Sequence, residues 1–126
     1  MPYQSFEDLE VYKKAREFRI ELYKLIKGLP DEERNNLKNQ IRRAATSITN
    51  NIAEGHGRFH YQENIQFCRQ SRGSLSELID DLNLCLDQKY FSEDSLLKLK
   101  AQAFEIIRLL NGYISYLKKR KLEDSR

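Results

Sequence analysis

Residues 41–55 read Ile-Arg-Arg-Ala-Ala-Thr-Ser-Ile-Thr-Asn-Asn-Ile-Ala-Glu-Gly, and the rest of the chain is organised around this stretch. Its apolar residues are Ile or Ala and are spaced mainly by three and four positions, so they fall on one face of a helix. They are Ile41, Ala44, Ala45, Ile48 and Ile52. These small side chains predict a helix that neighbouring backbones can approach closely.

The composition of the 126-residue chain indicates a single helical domain. Charged residues make up 33% and hydrophobic residues 40%, with only 5 Gly and 2 Pro, which leaves few turn residues for a β-sandwich. No apolar run approaches the roughly 20 residues of a membrane-spanning helix. Residues 1–7 have neither the basic start nor the apolar core of a signal peptide. We therefore expect no membrane partner and a cytoplasmic location.

Four amphipathic segments are separated by three short connections. Apolar residues at helical spacing predict helices over residues 6–27, 32–54, 59–88 and 93–120, all within one domain spanning residues 1–126. Short connections favour an all-α, antiparallel up-down-up-down four-helix bundle.

Local signals predict where these helices begin, end and bend. Ser5 and Asp31 are expected to cap the first two helices. Gly55 is expected to end the second helix, and together with Gly57 to allow the reversal that follows. A kink or local irregularity is expected near Thr49 because residues 46–51 are poor helix formers. Residues 124–126 are expected to fray.

The middle of the third helix combines a glycine with a cation. Gly73 lies within the apolar face, and a mid-helix Gly costs about 1 kcal/mol relative to Ala, so we expect it to permit close approach of another helix. Arg72 lies at the edge of the same face, where a carboxylate such as Glu54 or Glu77 is expected to neutralise it.

The fourth predicted helix carries more apolar surface than one bundle core requires. Beside a regular seam of apolar residues lie Leu97, Phe104, Ile107 and Ile114. A helix of a monomeric bundle needs an apolar face of only about 100° or slightly more. We interpret these four residues as an oligomer interface. Alternatively, the helix is a broad core helix with scattered exposed apolar residues, which are normal on protein surfaces.

No motif in the sequence supports catalysis, a metal site or a cofactor. Cys68 and Cys85 lie 17 residues apart on one predicted helix, a separation of about 25 Å that excludes a disulfide. His56 and His60 are spaced i, i+4, but Gly57 and the expected turn argue against a metal site. Glycine-rich phosphate loops and nucleophile elbows are absent. We predict a protein that is not an enzyme and takes no cofactor or small-molecule substrate.

The basic residues are candidates for contacts with the phosphates of RNA or DNA. They are Arg42, Arg43, Arg58, Lys118, Lys119, Arg120 and Lys121. For Arg42 and Arg43 a second reading is open, in which they pair with carboxylates such as Glu54 or Glu77 or with a neighbouring subunit. The cations of residues 118–121 also suit the C-terminal end of a helix dipole. Aromatic residues do not cluster with these charges in the sequence, so sequence-specific base recognition is not expected.

Three stretches together resemble one protein family. They are Phe-Glu-Asp-Leu-Glu-Val-Tyr at residues 6–12, Gln-Ile-Arg-Arg-Ala-Ala at residues 40–45 with Asn-Ile-Ala-Glu-Gly at residues 51–55, and Gly-Ser-Leu-Ser-Glu-Leu at residues 73–78. They resemble the bacterial four-helix bundle proteins encoded in intervening sequences of 23S ribosomal RNA genes. That family is similar in fold to the accessory variability determinant of diversity-generating retroelements.

The resemblance implies a four-helix bundle that assembles as a ring of five and has no enzymatic activity. The retroelement relative binds nucleic acid and a reverse transcriptase, whereas most intervening-sequence members have no assigned function. Together with the residues above, this predicts a non-enzymatic, homo-oligomeric binding or accessory protein, with nucleic acid or a nucleic-acid enzyme as partner. The alternative is a structural or protein-interaction oligomer without affinity for nucleic acid.

Overall fold

The computed structural model describes residues 5–124, which form four α-helices and two short 3-10 turns and contain no strand. The helices are α1 (Glu10–Ile26), α2 (Leu37–Gly57), α3 (Tyr61–Asp87) and α4 (Glu93–Asp124), and the 3-10 turns are Phe6–Asp8 and Asp31–Glu33. The predicted all-α fold with four helices is confirmed. The fraying expected for Ser125 and Arg126 lies outside the described residues, whereas Asp124 is helical.

The two predicted capping residues belong to 3-10 turns that precede the α-helices. The Ser5 hydroxyl oxygen accepts a hydrogen bond from the Glu7 N–H at 3.0 Å, and the Ser5 N–H donates to an Asp8 carboxylate oxygen at 3.3 Å. Leu9 is extended and separates this turn from α1. The turn at Asp31–Glu33 similarly precedes α2. As a result, α1 and α2 begin at residues 10 and 37 rather than at the predicted residues 6 and 32.

Helix α2 continues through Gly55, which was expected to end it, and finishes at Gly57. A Cβ atom at Gly55 would lie 2.8 Å from Asn64 Oδ1 and 2.9 Å from Phe67 Cβ, both on α3. Contacts this short are steric clashes. The prediction for Gly55 was therefore wrong, because close packing of α3 against α2, rather than helix termination, explains a glycine here.

The polar stretch of α2 is helical without a break, contrary to the irregularity expected near Thr49. Its side chains form hydrogen bonds to the preceding turn: Thr46 Oγ1 donates to Arg42 O and Asn51 Nδ2 donates to Ser47 O, both at 2.9 Å. Thr49 itself is buried. Tertiary packing therefore outweighs the weak helix propensity of the stretch.

The reversals on either side of α3 use left-handed backbone at residues other than glycine. Phe59 has φ 60° between α2 and α3, and Lys89 has φ 57° between α3 and α4. The first reversal does not use Gly55 or Gly57, because both remain within α2. A residue with a Cβ atom is strained in this conformation, so the reversal at Phe59 is less favourable than a glycine turn would be.

The core is one apolar cluster that receives buried side chains from all four α-helices. Helices α1 and α2, α2 and α3, α3 and α4, and α4 and α1 are neighbours; within residues 5–124, the Cα atoms of α1 and α3, and those of α2 and α4, do not come within 8 Å of each other. The α2–α3 pair has the most extensive contact and the α1–α4 pair the least. None of the described helices combines the length and apolar character needed to span a bilayer.

Hydroxyl groups join α2 to α3 along their seam. The buried Ser71 hydroxyl donates to the carbonyl oxygen of Ile48 at 2.7 Å, and the Ser74 and Ser47 hydroxyls are hydrogen-bonded at 3.0 Å. These small side chains allow the two backbones to approach closely while still satisfying their polar atoms.

Gly73 and Arg72 are placed differently from their predicted roles. Gly73 is exposed, and within the described chain no atom of another element lies within 4 Å of the position that a Cβ would occupy. Arg72 Nη1 donates to Asn111 Oδ1 on α4 at 2.7 Å instead of pairing with a carboxylate. Helical periodicity located both residues on α3, but it could not show that Gly73 faces solvent or that Arg72 bonds to α4.

Candidate nucleic-acid interface

The basic residues identified from the sequence lie in two separate regions of the fold. Arg42 and Arg43 are exposed on the first half of α2. Arg58 follows the end of α2, and residues 118–121 occupy the last turns of α4. A single continuous band of these residues is therefore not formed.

A groove of about 470 Å³ between α1 and α2 is lined by cations and by no carboxylate. We call it the basic groove; its polar lining is Arg19, Tyr23, Lys24, Lys27, Arg42 and Thr46. The Arg42 guanidinium carbon lies 5.2 Å from the centroid of the Tyr23 ring, a cation–π distance. Within residues 5–124, no ion pair neutralises Arg19, Lys27 or Arg42. Lys24 Nζ lies 3.6 Å from Glu21 Oε1, which is not part of the lining, so three of the four cations in the groove have no ion pair within the described chain.

Hydrogen bonds between α1 and α2 brace the basic groove. Arg19 Nη1 donates to Thr49 Oγ1 at 2.8 Å, and the Tyr23 hydroxyl is hydrogen-bonded to Thr46 Oγ1. Side chains that are already held in place lose less conformational entropy when a ligand binds. The arrangement is therefore partly preorganised for an anion.

Arg42 was predicted from the sequence, whereas Arg19, Lys24 and Lys27 of the basic groove were not. Arg19 and Tyr23 lie four residues apart on one face of α1, and Lys27, the residue that follows the helix, continues this spacing. This spacing is the signal in the sequence that could have found them. Arg43 has no ion pair among the described residues. The alternative of pairing with Glu54 is not observed for either arginine, because Glu54 pairs with Arg58.

Arg58 is engaged in ion pairs within the chain. Its guanidinium lies 3.2 Å from a Glu54 oxygen and 3.6 Å from a Glu63 oxygen, and it covers the Phe67 ring at 5.3 Å. These contacts link the end of α2 to the beginning of α3. Arg58 therefore has less charge to offer an external phosphate than the arginines of the basic groove.

Two of the four C-terminal cations connect α4 to α3. Lys121 Nζ donates to Gln62 Oε1 at 2.7 Å, and a hydrogen bond with Tyr61 raises the pKa of the Arg120 guanidinium above its ordinary value. Lys118 and Lys119 are exposed on the same turn. This end of the bundle is therefore basic, but part of its charge serves to hold helices together.

Aromatic side chains surround a pocket of about 450 Å³ at the same end of the bundle. We call it the end pocket; its aromatic lining is His56, Phe59, His60, Tyr61, Tyr113 and Tyr116. The Tyr113 and Tyr116 rings are nearly parallel, at 13°, with centroids 6.2 Å apart. The sequence separates these aromatic residues, whereas folding brings residues 56–61 beside residues 113–124.

The residues predicted to form an oligomer interface do not share one environment. Leu97 and Phe104 are 48% and 56% exposed on α4, and Ile107 is half-buried. Ile114 is only 4% exposed and belongs to the core of its own chain. Ala101 is exposed between the first two. Leu97, Ala101 and Phe104, which we define as the outer stripe of α4, therefore form an exposed apolar surface on this helix.

The described residues do not gather metal ligands. No group of three His, Cys, Asp or Glu side chains within residues 5–124 is arranged to hold a metal ion. Burial raises the pKa of the Cys68 thiol to about 12 and that of the Cys85 thiol to about 11. Both thiols are therefore protonated at neutral pH and poor nucleophiles.

Comparison with known proteins agrees with this architecture. The family model of the 23S rRNA-intervening sequence protein matches residues 7–112. A similar solved structure is that of a protein of unknown function from the S23 ribosomal protein family of Bacteroides thetaiotaomicron. It is 25% identical, with a TM-score of 0.77, and the match covers 83% of this chain and 95% of that chain. A search among curated proteins gives no match. The resemblance inferred from the sequence is thus confirmed, and the chain belongs to the 23S rRNA-intervening sequence protein family.

Proposed function

We propose that the chain is a non-enzymatic, self-associating bundle of antiparallel helices that binds nucleic acid through its phosphates. The observation that carries the proposal is the basic groove, where four cations line a concave surface and no carboxylate does. Cations that neutralise phosphates release condensed counterions, so they bind RNA and DNA without regard to sequence. The guanidinium groups of Arg19 and Arg42 add planar donors suited to phosphate oxygens.

Charge reversal in the basic groove tests this proposal. The double variant Arg42→Glu, Lys27→Glu is expected to weaken binding of a 20-base-pair duplex by at least about tenfold at roughly 50 mM salt. It should also lower the dependence of log Kd on log salt, because fewer phosphates are neutralised. Fluorescence anisotropy of a labelled duplex over a salt series measures both quantities.

A matched control separates the groove from net charge. Lys14 and Lys98 line the groove between α1 and α4 together with Glu17 and Glu105. Reversing both lysines to Glu changes the net charge by the same amount but is expected to weaken binding much less. Equal losses in the two double variants, or no binding by the wild type at low salt, would contradict the proposal.

The C-terminal cations are tested in the same assay. Lys118→Glu with Lys119→Glu removes two exposed charges from the last turns of α4. We expect a smaller loss than in the groove variant. A loss confined to the C-terminal pair would move the phosphate contacts from the basic groove to the end of α4.

Self-association is proposed from the outer stripe of α4. Leu97, Ala101 and Phe104 are spaced by four and three residues, so they form one exposed apolar face. Gly112 continues this side of the helix and has open space around its Cβ position within the described chain, which would let another copy approach. We propose a closed homo-oligomer, with the ring of five that the family resemblance implied as the expected size.

Cross-helix hydrogen bonds support the antiparallel arrangement within each chain. Lys100 on α4 donates a hydrogen bond to Asn83 on α3, and Arg72 on α3 donates one to Asn111 on α4. The residue that lies later on α3 thus pairs with the residue that lies earlier on α4, as expected for antiparallel helices.

The alternative function is a protein-interaction oligomer without affinity for nucleic acid. The apolar outer stripe favours that alternative, and it would hold if the assembly forms but binds neither RNA nor DNA.

A further inference from the structure

The end pocket combines exposed aromatic rings with a strained turn. Packing of the hydrophobic core explains neither feature. Phe59 is 80% exposed and has φ 60°. A solvent-exposed phenylalanine contributes little to folding, and the left-handed backbone that displays it disfavours any residue with a Cβ. A glycine would make the same turn more easily. The ring at this position is therefore better explained by contact with a ligand than by stability.

The other rings of the end pocket are held in place at its wall. Asn64 Nδ2 donates to the Tyr113 hydroxyl at 3.2 Å, which fixes a ring that is itself half-buried. Tyr116 stacks on Tyr113 and remains 56% exposed. One face of the pair is thus supported from within the fold, and Tyr116 offers aromatic surface to solvent.

The charges around the end pocket suit an anionic chain more than an apolar protein segment. Lys118, Lys119 and Arg120 lie on the α4 turn next to Tyr116. The lining also contains the carboxylate Asp124, whose negative charge favours the charged form of the nearby Arg120 guanidinium. A carboxylate can also accept a hydrogen bond from an exocyclic amino group of a base.

We propose that the end pocket binds an unpaired base of single-stranded RNA or DNA, which stacks on Phe59 and Tyr116. This inference rests on the proposed function, since the basic groove supplies phosphate affinity to both paired and unpaired strands. Duplex bases are stacked on one another and cannot reach the rings. Single-strand binding proteins use the same combination of aromatic platforms and flanking cations. The end pocket therefore adds a preference for unpaired over paired nucleic acid.

The first test compares three probes on the full-length protein by fluorescence anisotropy. They are a 20-nucleotide single strand, the same strand in a duplex, and a single strand of equal length in which the bases are replaced by abasic residues. The intact single strand is expected to bind about tenfold or more tightly than either other probe, because stacking contributes on that scale per base. Equal affinity for the intact and abasic strands would overturn the inference.

The second test removes the rings while controlling for folding. Phe59→Gly should raise Tm by a few degrees, because it relieves the left-handed strain, and yet weaken single-strand binding about tenfold. Tyr116→Leu should weaken binding similarly, whereas Tyr116→Phe, which keeps the ring, should not. Neither ring variant should alter duplex affinity. Unchanged single-strand binding in both ring variants would overturn the inference.

The outcomes distinguish the two proposals. If the groove variant weakens all probes but the ring variants weaken none, the phosphate function stands and the end pocket inference fails. If the wild type binds no probe at low salt, the proposed function fails. A fall in assembly mass for Phe59→Gly or Tyr116→Leu, with single-strand affinity unchanged, would instead assign the end pocket to contact between copies and overturn the inference.

Discussion

Asp81 is a buried carboxyl group in unfavourable surroundings on α3. It is only 3% exposed, and within residues 5–124 its Oδ2 atom has no hydrogen-bond partner. Burial, with smaller effects of Glu77 and Asp80, raises the pKa of this carboxyl group to about 6 from an ordinary 3.8. The folded protein therefore retains a proton on Asp81 at pH values where the unfolded chain has released it.

We predict that Asp81→Asn stabilises the protein at neutral pH more than in acid. A carboxyl group whose pKa rises on folding lowers the stability as the pH increases from about 4 to about 6, because the ionised form must then be buried. A shift of about two units corresponds to roughly 3 kcal/mol above that window. Urea unfolding of the wild type and the variant at about pH 4.5 and about pH 7.5 measures the difference.

The neighbouring Asp80 provides the control for this prediction. It is exposed on the same turn of α3, and its charge makes only a smaller contribution to the raised pKa of Asp81, so Asp80→Asn is expected to stabilise the protein at neutral pH much less than Asp81→Asn does. An effect of Asp81→Asn that is the same in acid and at neutral pH would show that the carboxyl group is not protonated in the folded state.

At the scale of the elements, the α2–α3 seam depends on a few small side chains. Gly55 sits against Asn64 and Phe67, whereas Gly73 faces open space within the described chain. Both glycines lie inside α-helices, so both carry the same intrinsic helix penalty. Only Gly55 has a packing reason for the missing side chain, and this contrast makes the two residues a matched pair.

We predict opposite effects of alanine at these two glycines. Gly55→Ala should destabilise the protein by about 1–3 kcal/mol, because its Cβ would press α3 away from α2. Gly73→Ala should stabilise it by up to about 1 kcal/mol through helix propensity alone. Chemical denaturation followed by circular dichroism compares the two, and equal signs for the two changes would refute the role assigned to Gly55.

Helices were predictable from the sequence because apolar spacing repeats over many residues, whereas their ends depend on single contacts. Gly55 looked like a terminator, since nothing in the sequence reveals that α3 crosses it. Phe59 and Lys89 take the left-handed positions that a sequence would assign to glycine. In the basic groove, Arg42 was predicted from the sequence. The end pocket was not predicted, because it brings together residues more than 50 positions apart and no local sequence pattern shows that they are close.

At the scale of the whole molecule, the outer stripe of α4 is an apolar surface that its own chain leaves uncovered. Leu97 and Phe104 lie on the exposed side of α4, whereas the residues on its opposite side are buried in the core. Of the four residues that the sequence predicted for an interface, Leu97 and Phe104 are exposed and Ile114 is buried. The predicted interface included Ile114 because periodicity alone does not show which side of α4 faces the bundle axis.

We predict that Leu97→Lys with Phe104→Lys disrupts the proposed assembly without unfolding the bundle. Two charges on the outer stripe would have to be buried against another copy, which is unfavourable. Light scattering should show the wild type at a multiple of the 15.0 kDa chain mass and the variant at the chain mass itself.

Leu84 supplies the control, because it is 41% exposed on α3, away from the stripe. Leu84→Lys should leave the mass unchanged. A wild type that is already monomeric, or a loss of assembly in the Leu84 variant as well, would contradict the location proposed for the interface.

The two buried thiols can serve as intrinsic probes of local unfolding in α3. Cys68 and Cys85 lie towards opposite ends of α3 and are shielded from reagents while the helix stays docked. An alkylating agent added in excess can reach each sulfur only during transient opening of its surroundings. The ratio of the two labelling rates, read by mass spectrometry of the digested protein, would report which end of α3 detaches first, with no foreign probe attached.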